Sequence, residues 1–408
     1  MNGSRFVRNI YRSLYTAGAA FLLISFFGPR SAECQGNVTD IRAVLDGHMR
    51  PDEEARAFEQ SEQLYPYKRV LRGRARQKLP YSPSRLKSIT FESEGRRYDL
   101  FDYLAQDRVA GLLVLKNGKI VLEDYELGLT PDTRWASWSM AKAVSSTLIG
   151  IALQQRLIRS LDDPVSKYVP TLRGSDYDAV SIRNILTMSS GIGWSETYTD
   201  PTSDCRRLTN AQLSHQPGAT MRFMAGLKRI SAPGTVWNYN SGEADIAGAV
   251  LEGATRKPLA TYLSDTLWAP LGMERDATWW TESPGGMGLS GVGIGATLRD
   301  YGRFGLFVLN DGVIDGRRIV PPGWFHQAGS PQFIGGKSVD YGYFWWPVPV
   351  GDSMEAGAFQ ALGIFGQHLL INPREHLVIV VLSARSKPTG ASPIKDLDFL
   401  SAVTRQLH

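Results

Sequence analysis

Arg134-Trp135-Ala136-Ser137-Trp138-Ser139-Met140-Ala141-Lys142-Ala143-Val144-Ser145-Ser146-Thr147-Leu148-Ile149-Gly150 is the stretch whose reading decides the fold of this chain. Ser139 and Lys142 stand three positions apart, which on a helix places them on one face, one above the other. A helix that starts at Ser139 also turns unbonded backbone N–H groups toward whatever binds at its end. A nucleophile, its base and half of an oxyanion hole thus fit in a single turn.

The Ser-x-x-Lys pattern is weak alone. Roughly one or two matches arise by chance at ordinary Ser and Lys usage in a chain of this length. Three occur here: Ser84 to Lys87, Ser139 to Lys142, and Ser392 to Lys395. The first lies in a basic stretch beside prolines, and the third has Pro393 inside it. Only the second opens a helix that is apolar on most sides, with Ala141, Val144, Leu148, Ile149, Ile151 and Leu153, which predicts burial. A cation is unfavourable near the positive end of a helix, and burial disfavours charge. A lysine with a purely structural role belongs on an exposed face, whereas a proton acceptor beside Ser139 belongs here.

Working outward, Leu112–Lys116, Asn117-Gly118 and Lys119–Tyr125 read as a hairpin with an Asn-Gly turn. The nucleophile helix is expected from Ser139 to about Gln155. Asp162-Asp163-Pro164 signals a helix start within Ser160–Tyr168. Residues 156–290 alternate short helical patterns with Gly/Pro turns and read as a mostly helical subdomain. Arg299–Leu309 is an amphipathic helix. Strands are expected over Tyr341–Pro347, Gln367–Ile371 and Leu377–Ser383, with a last helix from about Ile394 to Leu407. Strands at both ends around a helical middle give an α+β fold, an antiparallel sheet assembled from distant segments and flanked by helices.

The 408 residues carry a net charge of +5. Their basic residues are not interleaved with an aromatic reading surface, so no nucleic-acid partner is expected. Arg5, Arg8 and Arg12 precede the apolar run Leu14–Phe27 and Gly28-Pro29. That is an export-signal pattern, giving residues 1–34 as a signal peptide or membrane anchor and a periplasmic or extracellular location. Ser31-Ala32-Glu33-Cys34 is the candidate cleavage region; lipidation of Cys34 fits less well, because Glu33 is not small. Membrane contact is expected only through this segment. Residues 35–95, polar and basic, read as a leader or linker before a domain over 96–408. Cys34 and Cys205 are too few to define a disulfide framework. The six histidines show no ligand spacing, so no metal or cofactor is expected.

Two further elements sit downstream. Tyr239 lies in the tight polar turn Trp237-Asn238-Tyr239-Asn240-Ser241-Gly242-Glu243 before a helix, where a phenol can point into a cleft and relay a proton. Gln360-Ala361-Leu362-Gly363-Ile364-Phe365-Gly366-Gln367 runs into an apolar strand, and glycines at a strand edge admit a close backbone approach. The Ile364 N–H is the candidate second oxyanion donor, beside Gly363. Alone, the Tyr239 element reads as an ordinary core tyrosine and the Ile364 element as a bulge or turn.

In this order the three elements resemble the serine β-lactamase and penicillin-binding protein superfamily, whose nucleophile motif is Ser-x-x-Lys. The closer resemblance is to the class C branch, with its family VIII carboxylesterases and 6-aminohexanoate-dimer hydrolases. Asn184–Trp194, Asp300–Leu306 and Tyr341–Trp346 add to it, and it covers about residues 100 to 400. It implies a serine hydrolase acting on an ester or linear amide substrate. Ser139 would be acylated, Lys142 and Tyr239 would share the proton, and the Ser139 and Ile364 amides would bind the oxyanion. The family's Tyr-x-Asn is Tyr239-Asn240-Ser241 here, with Ser241 expected to support Tyr239 by a hydrogen bond. Its Lys-Thr-Gly is Ala361-Leu362-Gly363, which removes the cation that would hold a β-lactam carboxylate. Tyr198 and Asp200, in the loop Glu196–Arg207, are candidate substrate-binding residues at the entrance, and His368 a supporting group. A β-lactamase, a D-Ala-D-Ala peptidase or a non-hydrolytic sensor on the same fold are the alternatives.

Overall fold

Leu112-Leu113-Val114-Leu115 and Leu377-Val378-Ile379-Val380-Val381-Leu382 are continuous apolar runs, the signature of strands buried on both faces. In the computed structural model, which describes residues 40–408 other than Ala391, they are neighbours in the main sheet. Six antiparallel strands follow in the order Trp346–Pro347, Phe359–Gly363, Gln367–Asn372, Leu377–Ser383, Val109–Lys116 and Lys119–Tyr125. The hairpin turn is Asn117-Gly118, both in the left-handed region at φ 50° and 72°, as a two-residue turn requires.

Alternation along the strands divides the core. Leu113, Leu115, Val378, Val380 and Leu382 join the large cluster beneath the helix Leu298–Leu309. Leu112, Val114, Ile379 and Val381 face the other way, onto Phe399, Leu400 and Val403 of the helix Asp396–Leu407. A second antiparallel sheet, Tyr67–Val70, Ala277–Trp280, Ile294–Ala296 and Trp135–Ala136, leads the chain into the nucleophile helix Met140–Gln154. Met140 through Ala152 are all buried, in line with the all-round apolar pattern. Helices Asp204–Gln212, Ala219–Ala225 and Ser241–Thr255 occupy the middle of the chain.

The leader-or-linker reading of residues 35–95 is corrected over the described residues. Ile41–Asp46 and Pro51–Glu59 are helices, Tyr67–Val70 pairs with Ala277–Trp280, and Thr90–Ser93 pairs with Arg96–Asp99. Ile41, Val44, Leu45, Phe58 and Tyr65 lie in the main core. The signal-peptide segment 1–34, with Cys34, lies outside the described residues. Two local readings also change. Ser160–Tyr168 forms only a 3-10 turn at Val165–Lys167, because Pro164 and Val165 bridge to Val180 and Ser181 and Asp162 and Asp163 are taken by Arg183 and Lys167. Over Tyr341–Pro347 only Trp346–Pro347 is strand; Phe344 sits at φ 63°, and Tyr341, Tyr343 and Trp345 turn into the core.

Candidate active site

The nucleophile helix begins at Ser139 as the sequence requires, but the Ser139 hydroxyl does not cap it. It accepts a hydrogen bond from the Lys142 Nζ at 2.8 Å instead. Lys142 is 1% exposed and Ser139 8% exposed. The same nitrogen also donates to the Gly291 carbonyl at 2.9 Å. Among the described residues no carboxylate is in ion-pair contact with it. The decoy motifs differ. Ser392 donates to Asp107 and Lys395 pairs with Glu94, so each is tied to another partner. Ser84 and Lys87 stand exposed.

Gly291 links two buried groups. Its carbonyl accepts a hydrogen bond from Lys142, and its amide donates to the Asp245 carboxylate at 3.0 Å. Gln212 donates to the other Asp245 oxygen at 2.9 Å. Burial pushes the Asp245 carboxyl up to about 7. Asp245 lies on the helix Ser241–Thr255, whose start Asn240 caps through its side chain. That cap fixes the backbone just after Tyr239. The Tyr239 ring stacks on Trp346 with centroids 5.8 Å apart and meets Tyr341 edge-on at 6.0 Å. The Lys142 Nζ lies 5.2 Å from the Tyr239 ring centre. Amine, hydroxyl and phenol ring therefore share one wall.

The turn after the strand Phe359–Gly363 forms the opposite wall. A Cβ on Gly363 would stand 2.6 Å from the Ser137 carbonyl oxygen, so only glycine lets this strand end lie against the chain that enters the nucleophile helix. Ile364 and Ser139 line the same cleft. Among the described residues neither the Ser139 nor the Ile364 amide is engaged by an acceptor. Two aromatic residues flank them in left-handed backbone: Trp138 at φ 48° and Phe365 at φ 64°. Such torsions are costly for bulky residues and persist only where packing holds them. The packing here is mutual. Trp138 and Phe365 rings lie 5.1 Å apart, and Phe58 meets them at 5.2 and 5.1 Å.

The cleft has two limbs that share Ser139, Tyr198 and Ile364. The open limb, about 340 Å³, is walled by Tyr239, Trp346, Gly363, His368 and Arg385. The other is a narrow slot of about 60 Å³. Tyr198 thus lines both limbs; burial holds its phenol proton tightly, well above the ordinary range. His368 sits on the wall and pairs with Asp396 at 2.9 Å, which Arg385 also holds.

Two sequence-derived assignments are corrected. Asp200 lines neither limb; it accepts from the Thr202 amide and hydroxyl at 2.8 and 2.7 Å and so closes a turn. The Ser241 hydroxyl donates to Glu196, not to Tyr239. Glu196 also receives the Ser241 amide at 3.0 Å and the Trp194 indole N–H. Glu196, Asp245 and Gly291 are therefore site residues that the sequence reading missed. Their only signal was position: Glu196 opens the loop singled out as the entrance, and Asp245 stands four residues after Ser241, on the same helical face.

A strained turn into a buried helix, with Ser and Lys hydrogen-bonded on its first turn, defines a hydrolase of the serine β-lactamase-like class. A family model described as Beta-lactamase matches residues 100–402, and the chain belongs to that family. The 6-aminohexanoate-dimer hydrolase of Paenarthrobacter ureafaciens is 30% identical over 305 residues, covering 71% of this chain and 76% of that one. Among solved structures, a candidate 6-aminohexanoate-dimer hydrolase from Bacillus anthracis superposes with a TM-score of 0.74 at 22% identity, covering 86% of this chain and 92% of the other. A class C beta-lactamase superposes with a TM-score of 0.55 at 18% identity, over 76% and 93% of the two chains.

Proposed function

We propose that the protein hydrolyses an ester or linear amide through an acyl-enzyme on Ser139. The observation that carries this reading is the 2.8 Å hydrogen bond from the buried Lys142 to the Ser139 hydroxyl. Lys142 and Tyr239 share the proton work. As the Ser139 oxygen bonds to the substrate carbonyl carbon, its proton passes to the Lys142–Tyr239 pair. The oxyanion is held by the Ser139 and Ile364 amides. The proton then goes to the leaving oxygen or nitrogen, and the carbon–leaving-group bond breaks. Water attacks the acyl-enzyme with Tyr239 as base, the acid is released, and Ser139 regains its proton. Glu196 anchors Ser241 and with it the start of the Tyr239 helix, so Ser241 acts on Tyr239 through the backbone.

The 6-aminohexanoate-dimer hydrolase relative supports amide or ester cleavage. A second reading is β-lactam hydrolysis, which the relative from Pseudomonas fluorescens named Beta-lactamase favours. Ala361 weighs against it: the strand position that would carry a carboxylate-holding lysine bears a buried methyl group. Ser139→Ala, assayed on p-nitrophenyl acetate and labelled with a fluorophosphonate, tests the proposal. Loss of both turnover and label is expected. Retained turnover, or a label on Ser84 or Ser392, overturns it. Nitrocefin turnover matching that of the ester favours the β-lactamase reading.

A further inference from the structure

The stretch from Tyr67 to Thr90 carries eight Lys or Arg residues and no Asp or Glu. In the fold it is a strap, not a linker. It leaves the second sheet's edge strand Tyr67–Val70 and runs to the main sheet's edge strand Lys119–Tyr125, where Tyr81 bridges to Ile120. Backbone bonds fix its course. The Gln77 amide donates to the Gly272 carbonyl at 2.8 Å, the Ile120 amide to Pro80 at 2.8 Å, and the Leu86 amide to Val121 at 2.9 Å. Arg303, on the helix Leu298–Leu309, donates to the Gln77 carbonyl at 2.8 Å.

Held this way, the strap turns cations to solvent. Arg74, Arg76, Lys78, Arg85 and Lys87 are exposed, and among the described residues none of the five pairs with a carboxylate. The acids along its course are engaged by other groups: Asp276 by Arg69, Glu274 by Arg303, and Glu123 by Arg299 and Tyr81. Unneutralised charges of one sign on a fixed segment repel one another and do not help the fold. A face that served solubility alone would mix both signs. Such a surface suits a polyanion. Single-stranded nucleic acid is disfavoured, because its bases need open aromatic faces to stack on. Tyr81, amid these cations, is covered by the Arg85 guanidinium 4.5 Å from its ring centre and by that of Arg299 at 5.9 Å. Leu71 and Tyr67, at the start of the strap, are exposed large apolar side chains. Basic residues beside exposed apolar ones are the pattern of a contact with a lipid surface.

We propose that this strap docks the protein on an anionic phospholipid bilayer, with Arg74, Arg76, Lys78, Arg85 and Lys87 on the headgroup phosphates and Leu71 at the interface. The proposal does not depend on the hydrolase reading. It adds a membrane contact to the one expected from residues 1–34. The cleft lies toward the other edge of the main sheet, where Trp346 and Gly363 wall it, so a docked molecule keeps its site open to water.

The test sediments the full-length protein with vesicles of phosphatidylglycerol and phosphatidylcholine in equal parts, and with phosphatidylcholine alone. Each cation near an anionic surface is worth about fivefold in affinity, so the combined variant Arg74→Ser, Arg76→Ser, Lys78→Ser is expected to bind the mixed vesicles about a hundredfold more weakly. Its turnover of p-nitrophenyl acetate is expected to be unchanged, and Ser139→Ala is expected to bind vesicles like the parent. Added salt weakens the parent's binding. Arg5, Arg8 and Arg12 carry charge of their own, so lysine acetylation read by mass spectrometry reports on the strap itself. Lys78 and Lys87 are expected to react about fivefold more slowly on the mixed vesicles. Lys337, exposed on the hairpin Gln332–Val339, is expected to keep its rate. Unchanged affinity in the folded combined variant, equal binding to neutral and anionic vesicles, or no protection of Lys78 and Lys87 overturns the proposal. Tighter binding to DNA than to the mixed vesicles, lost in the same variant, overturns it in favour of a nucleic-acid partner.

Discussion

Gly363→Ala tests the oxyanion hole at the point where the structure is tightest. The backbone of Gly363 is not left-handed, so alanine meets no torsional objection; the contact alone matters. Its Cβ would stand 2.6 Å from the Ser137 carbonyl oxygen and 3.0 Å from the Gln367 Cβ. Ordinary contact begins at 3.4 Å, so the strand end must retreat by about 0.8 Å. Neither neighbour yields freely: the Ser137 amide donates to Ile294, and the Gln367 side chain is held by Trp135 and Ser383. The displacement therefore falls on Ile364, whose amide is meant to meet the oxyanion. Losing one such donor costs about 10²–10³ in kcat, or about 2.7–4 kcal/mol. The overpacking itself costs about 1–3 kcal/mol of stability, which the fold should survive. The assay is burst and steady-state hydrolysis of p-nitrophenyl acetate beside a thermal melt. A folded Gly363→Ala enzyme with kcat within about threefold of the parent would refute the assignment of Ile364 to the oxyanion hole.

Lys142→Ala is expected to reduce kcat by about 10²–10⁴-fold, read in the pH–rate profile of ester hydrolysis; an unchanged profile would remove the lysine from the proton path. Phe58→Ala opens a cavity between Trp138 and Phe365, expected to cost about 3–5 kcal/mol in denaturant melts and, unlike a remote core truncation, to slow acylation as the two strained residues relax. The pH dependence has a definite sign. Burial pushes Glu243 up to about 8 and Asp245 up to about 7, so the folded chain holds protons that the unfolded chain has released above about pH 4. These two groups make stability fall as pH rises from about 4 to 8, and Glu243→Gln should flatten that slope in melts taken across the range; an unaltered slope would show that Glu243 is ionised in the fold.

What the sequence made legible was local. The apolar circumference of Met140–Ala152, the Asn117-Gly118 turn and the unbroken runs Leu112–Leu115 and Leu377–Leu382 each carry their own periodicity, and each predicted element is present. Ser139 stands apart from Ser84 and Ser392 for the same reason: of the three matches it alone opens a buried helix. The segment from Ile41 to Val70 was not. Its helices are six and nine residues long, too short to hold by propensity, and they exist because residues such as Phe58 pack on distant partners, Trp135, Trp138 and Phe365. Ser241 fails likewise: its hydroxyl has several acceptors within reach in principle, and only the fold brings Glu196, 45 residues earlier, into contact. Asp200 was misplaced because a turn-closing aspartate and a substrate-binding one look alike in a polar loop.

The replacement of a lysine by Ala361 shifts recognition in the cleft from charge to shape. Ala361 is buried in the strand that leads to Gly363, so the edge beside Ser139 carries no cation of its own. The charged groups that remain at the site have protein partners: Arg385 is held by Asp396, Glu196 by Ser241 and Trp194, and Asp245 by Gly291 and Gln212. Lys142 is the exception among the described residues, and its nitrogen is bound to Ser139 and Gly291. An ionic handle on the substrate would have to compete with these contacts. Recognition in the open limb then leans on what Tyr239 and Trp346 can stack against, which favours a neutral scissile ester or amide over a carboxylate-bearing β-lactam.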